Sequence, residues 1–190
     1  EIRFCDWSSD VCSSDLSVAM RAGYAAVAWL QSNGTASDLY ASVLDTGVWY
    51  GPDLVENNVN PAAQPSIAID ADINMSLLWQ QSDGTASSVY ANRYSAGVWV
   101  WGTPTSLEGL GTAASDPQLV FDANGDGLAV WGQGGDIYAR RYTRSTNTWA
   151  AAVTLDARTE SIYAPSLSID LTTGDAIAAW VQSDGTANSV

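Results

Sequence analysis

Residues 117–133 read Pro117-Gln-Leu-Val-Phe-Asp122-Ala-Asn124-Gly-Asp126-Gly127-Leu-Ala-Val-Trp131-Gly-Gln133. Two short apolar runs flank a polar, glycine-containing turn, and neither run is long enough to hold a 3.6-residue apolar period. Their β-branched and aromatic content, bounded by Pro, Asp and Gly, predicts a strand, a tight turn and a second strand. The same pattern returns along the chain. Trp29, Trp79, Trp131 and Trp180 stand 50, 52 and 49 residues apart, each followed two positions later by Gln31, Gln81, Gln133 or Gln182. A period near fifty residues marks a chain built from one repeated supersecondary unit.

Other positions keep the same spacing. Aromatic residues recur at Tyr40, Tyr90 and Tyr138 and again at Trp49, Trp99 and Trp149. Pro65, Pro117 and Pro165 each precede an aspartate by five residues, and nine residues before them stand Glu56, Glu108 and Asp156. Each copy divides into four strand-like segments, the fourth expected to centre on Trp99 in copy two. Asn33-Gly34, Asp83-Gly84 and Asp184-Gly185 supply the positive φ of the hairpin between segments two and three.

The expected fold is therefore all-β: a partial β-propeller of about three and a half four-stranded blades, at 17–56, 65–108, 117–156 and an incomplete 165–190. Further blades would be required for closure, since propellers close with about four to eight. A β-sandwich would account for the strands but not for the repeat. Residues 1–16 stand apart, because Asp10-Val-Cys-Ser-Ser-Asp-Leu16 reads as the translation of a sequencing-adapter end. They are treated as an artefact and left out of fold reasoning. Cys5 and Cys12, the two cysteines, fall in that segment and imply no disulfide.

Composition narrows function. The chain has 21 acidic and 7 basic residues, no histidine and a net charge of −14. Such a surface repels phosphate backbones and anionic membrane faces, which argues against nucleic-acid partners. No run of eighteen apolar residues is present, so no membrane-inserting helix is expected.

The string 117–131, followed by Ile137-Tyr-Ala-Arg-Arg-Tyr142 and Trp149, resembles the tandem repeats of large bacterial exported or surface proteins, regarded as sialidase-like or kelch-like propellers. The resemblance covers residues 17–190. It implies a propeller fold and a secreted or cell-surface location, and it leaves function to be read from the site.

In a propeller blade, the loop between strands two and three and the loop to the next blade share one rim. That rim would gather Gln31, Gln81, Gln133 and Gln182 with Glu56, Glu108 and Asp156, a surface able to bind glycan or protein by hydrogen bonding. The competing expectation for the glutamines is a semi-buried amide bridging blades, and for the acids solvated loop polarity. Most tryptophans hold repeat positions and are expected to pack between blades. Trp101 falls off the pattern and is the expected exposed ring.

Asp122, Asn124 and Asp126 match the opening half of an oxygen-rich Ca²⁺ loop, but the twelfth position is Gln133 where a bidentate Glu is needed. A plain hairpin turn is the preferred reading, with no cofactor expected. No catalytic residues are assigned. Arg93 and Arg141 recur beside Tyr94 and Tyr142, and recurrence points to a surface role on strand three, not to a single converging site. The expectation is a non-catalytic propeller module of an exported bacterial protein. Its alternative is part of a sialidase-like glycoside hydrolase whose active site lies in other blades.

Overall fold

The computed structural model describes residues 15–156, 162–183 and 188–189. Most of the 1–16 segment, and the Asp184-Gly185 turn of copy four, lie outside those residues. Four antiparallel sheets follow one another in chain order. The first holds β1 (Leu16–Arg21), β2 (Tyr24–Ser32), β3 (Ser37–Asp45) and β4 (Val48–Leu54). The second holds β5 (Ala62–Ile69), β6 (Met75–Ser82), β7 (Ser87–Ser95), β8 (Val100–Trp101) and β9 (Thr105–Ser106). The third holds β10 (Ala114–Phe121), β11 (Gly127–Gln133), β12 (Asp136–Thr143), β13 (Thr148–Trp149) and β14 (Val153–Asp156). The fourth holds β15 (Ile162–Ile169), β16 (Ala176–Ser183) and β17 (Asn188–Ser189).

The first strands, β1, β5, β10 and β15, lie against one another in succession, so the sheets pack face to face around a common line. This is a partial propeller. It excludes the sandwich, whose strands would be shared between two sheets. Because each inner sheet is covered on both faces, strand residues of either parity are buried: Met75, Ser76, Leu77, Leu78 and Trp79 are consecutive and all buried. Polar–apolar alternation is absent for that reason.

Two layers of apolar side chains fill the spaces between the first three blades. Ala26, Ala28, Leu39 and Val43 of blade one meet Ile67, Leu77, Trp79 and Tyr94 of blade two. Leu78, Val89 and Ala91 of blade two meet Leu119, Phe121, Trp131 and Tyr142 of blade three. The small face of one blade thus receives the aromatic face of the next. Trp29, Trp79 and Trp131 each stack on the tyrosine paired with it across strands two and three, Tyr40, Tyr90 and Tyr138, at centroid distances of 6.1, 5.9 and 6.1 Å. Blade three keeps this pair although its hairpin is shortened to a two-residue turn at Gly134-Gly135.

The recurring prolines mark a feature beyond a strand start. In β5, β10 and β15 the register shifts beside them, and the residue before each, Gln64, Asp116 or Ala164, has φ of 51°, 53° or 49°. Proline lacks the N–H that a regular ladder would need there, and the bulge absorbs the mismatch. Gln64 and Asp116 also clasp across blades: the Asp116 amide donates to Gln64 Oε1 at 3.0 Å, and the Gln64 amide donates back to the Asp116 carboxylate.

The fourth strands differ most from expectation. In blade two this strand is broken into β8 and β9, and Trp99 lies in the turn before it, not at its centre. The residue in register with Trp49 and Trp149 is Trp101: Leu44 pairs with Trp49, Tyr94 with Trp101 and Tyr142 with Trp149. A turn two residues longer than in blade one displaces the sequence series from the structural one.

Candidate functional site: a groove along the outer edge of blades one and two

The Trp-x-Gln motif builds a joint between blades. Trp79 Nε1 donates to Gln81 Oε1 at 2.9 Å, and Gln81 Nε2 donates to Glu56 Oε2 of the preceding blade at 3.0 Å and to Asn60 O at 2.6 Å. Blade three repeats it: Trp131 Nε1 donates to Gln133 Oε1 at 3.0 Å, and Gln133 Nε2 donates to Glu108 Oε2 at 2.6 Å and Thr112 O at 3.0 Å. Gln81, Gln133 and Glu56 are buried. A buried amide or carboxylate needs partners, and here each supplies the other's. In blade one, Trp29 Nε1 lies 3.4 Å from Gln31 Oε1 and the Gln31 side chain is exposed. Gln182 and Asp156 are half-buried. The glutamine and glutamate series do share a rim, with Asn58 and Asn60 reaching Ser82 O of the hairpin at 2.8 and 3.0 Å. In the Gln81–Glu56 and Gln133–Glu108 pairs the polar groups face one another within the protein.

The opposite rim carries the aspartate series. Asp70 is fully buried; its Oδ1 accepts the amides of Asp72 and Asn74 at 2.8 and 2.9 Å, and its other oxygen pairs with Arg93. The Arg93 guanidinium lies 4.9 Å from the Tyr142 ring centroid and 5.9 Å from that of Phe121, tying blade two to blade three. Asp122 Oδ1 accepts the Asp126 amide at 2.9 Å, Asp126 Oδ1 accepts the Arg144 amide at 2.8 Å, and Asn124 Nδ2 points to Asp122 at 3.4 Å. The candidate Ca²⁺ oxygens of Asp122 and Asp126 are thus directed at the chain's own N–H groups. Among the described residues no three acidic or thiol side chains gather as a metal-binding set.

Of the two neighbouring tryptophans Trp99, not Trp101, is the exposed one, and Trp49 is exposed as well. Trp101 is half-buried and packs on Tyr94 at 5.5 Å, its Nε1–H enclosed with no acceptor nearby. Burial first, then the Asp53 and Asp45 carboxylates, pushes the Tyr94 hydroxyl above its usual pKa. Trp99 is 50% exposed and has φ of 59°. The left-handed region is costly for a bulky side chain, and blade three places Asn147 at the equivalent turn position, φ 54°. A tryptophan held there without burying its ring is not explained by packing.

Tyr50 of blade one meets it. The two rings lie 5.7 Å apart at 47°, and Tyr50 is itself 47% exposed. Tyr50 is oriented by an irregularity in β4. Gly51 has φ of 97°, and a Cβ on it would sit 2.9 Å from Ala41 O, so only glycine fits. Beside the ring pair a groove of about 450 Å³ runs between residues 53–57, at the end of β4, and the segment 99–104. Its wall includes Asp53, Glu56, Asn57, Asn92, Trp101 and Thr103. Asn92 is fixed by donating to Val55 O at 2.8 Å, whereas Asp53, Asn57 and Thr103 are exposed. Sequence reading missed this site because Trp99 occupied a place in a regular series. The available signal was its neighbour, Trp101, two residues away.

No protein-family model and no curated protein matches the sequence. Solved structures do. An endo-arabinase from Bacteroides thetaiotaomicron is similar over 90% of this chain and 70% of that one, with a TM-score of 0.55 and 16% identity. A mutant of the NanB sialidase from Streptococcus pneumoniae is similar over 83% of this chain and 25% of that one, with a TM-score of 0.52 and 9% identity. At these identities the likeness is one of fold, and it is a propeller fold in which this chain spans only part of each protein.

Proposed function

We propose that this chain is a non-catalytic β-propeller module of an exported bacterial protein, and that it binds glycan in the groove between blades one and two. The observation that carries the reading is Trp99, a half-exposed ring at a left-handed turn position, paired with Tyr50 and flanked by polar side chains. Rigid aromatic faces with a few convergent polar groups suit saccharides, whose rings present apolar C–H faces and hydroxyl edges. Likeness to an endo-arabinase and a sialidase agrees with a carbohydrate ligand.

The groove also contains two carboxylates, Asp53 and Glu56, which raises the hydrolase alternative. Glu56 is held by Gln81 in the same joint that holds Glu108 to Gln133. That repetition assigns Glu56 to blade packing. Titration calorimetry with soluble oligosaccharides is expected to show binding that Trp99→Asn weakens at least tenfold, with an unchanged melting temperature. Binding that survives this substitution would place the site elsewhere, and release of reducing ends on incubation would make the chain a hydrolase.

A further inference from the structure

We infer that the groove accepts uncharged oligosaccharides and discriminates against glycans bearing carboxylate or sulfate groups. The inference rests on the glycan-binding reading above and adds the ligand's charge to it.

The wall offers the exposed side chains of Asp53, Asn57 and Thr103, together with the buried Glu56. It includes no arginine or lysine. The described arginines are engaged or placed elsewhere. Arg21 donates to Ile69 O and Asp122 O, Arg93 pairs with Asp70 and Ser76, and Arg144 pairs with Asp72. Arg140 and Arg141 belong to β12 in the third blade. Recognition of an anionic sugar uses guanidinium or ammonium donors, which match carboxylate and sulfate oxygens. A groove whose fixed charges are carboxylates repels such groups. The same carboxylates favour neutral polyols, because a sugar hydroxyl donates to a carboxylate oxygen in a charge-assisted hydrogen bond.

The dimensions favour a chain of sugars over a single residue. One wall is the five-residue run 53–57, which takes in the end of β4 and spans roughly 17 Å if extended. The facing segment 99–104 contributes Trp99, with Tyr50 against its ring.

Two probe sets test this by tryptophan fluorescence and calorimetry: neutral linear pentose and hexose hexasaccharides, and anionic oligogalacturonate with sialyllactose. The neutral set is expected to bind, the anionic set at least tenfold more weakly. Asp53→Asn should narrow that gap, as should 1 M salt, where the Debye length falls to about 3 Å. Anionic probes binding as well as neutral ones, with Trp99→Asn abolishing both, would overturn the charge inference and leave the glycan site standing. Failure of every probe to bind would overturn both. Neutral binding that is indifferent to Trp99→Asn would remove the groove as the site.

Discussion

Gln81 joins three partners that come from different parts of the fold: the indole of Trp79, the carboxylate of Glu56 and the carbonyl of Asn60. Its worth lies in what its removal would leave behind. Gln81→Leu leaves the Trp79 N–H without its acceptor and takes one of two donors from the Glu56 carboxylate, which keeps the Asn58 amide at 2.6 Å, and an unsatisfied buried polar group costs about 1–3 kcal/mol. Equilibrium denaturation should show a loss in that range. Changing Glu56 to leucine in addition should return part of it, because removing both members of a buried pair approaches neutrality. Trp99 shows the reverse logic at the same scale. Blade three fills the equivalent left-handed position with Asn147, a residue suited to it.

Among elements, the hairpin between strands two and three shows most directly how a repeat preserves geometry while changing chemistry. Asn33 Oδ1 in blade one accepts the Thr35 amide, the Thr35 hydroxyl and the Ala36 amide at 2.9, 2.7 and 2.9 Å. Asp83 in blade two accepts the same three groups at 2.7, 2.7 and 2.9 Å. The asparagine does not titrate. The aspartate does: hydrogen bonds from Ala86 and Thr85 lower its pKa from 3.8 to about 2. A carboxylate with a depressed folded pKa contributes stability that is present above its unfolded pKa and is lost as pH falls through the folded one. The loss attributable to Asp83 therefore falls between about pH 4 and pH 2. Asp83→Asn should preserve the hairpin at neutral pH and reduce the drop in melting temperature between pH 5 and pH 2. An unchanged drop would mean that the turn does not hold the charged form. Fourth strands are less constrained than this hairpin. Longer turns in blades two and three break them in half, and the blade-two turn also produces the exposed ring pair.

At the scale of the molecule, blades interlock by one rule used repeatedly, a small-residue face receiving an aromatic face. On blade one Val18 and Met20 are 65% and 78% exposed, although Trp29 and Val27 on the same face are buried, and blade four presents Ile177 at 71%. Exposed apolar side chains of this kind favour association. Sedimentation velocity is expected to show mass rising with protein concentration for residues 17–190. Met20→Glu combined with Ile177→Glu should suppress the rise, and a strictly monomeric parent protein would refute the complementarity of these faces. Residues 17–190 carry 17 acidic and 6 basic residues, a net charge of −11 that opposes association, so the effect should strengthen with salt.

The repeat, the strand content and the inter-blade amide were legible in the sequence, because identical packing problems recur at fixed spacing and select identical residues: Trp79 with Gln81, Trp131 with Gln133. Spacing could not separate Trp99 from Trp101, since one register position is set by turn length and only the pairing of Tyr94 with Trp101 fixes which ring turns inward. Nor could it show that Gln64 and Asp116 sit at bulges and clasp across blades 52 residues apart. The sequence by itself determined an all-β chain of repeated blades, because local pattern and period are carried by neighbouring residues. Only the tertiary structure decided that Gln81 donates to Glu56, and that Tyr50 meets Trp99 beside a groove. Those pairings join different blades, and folding alone brings their partners within reach.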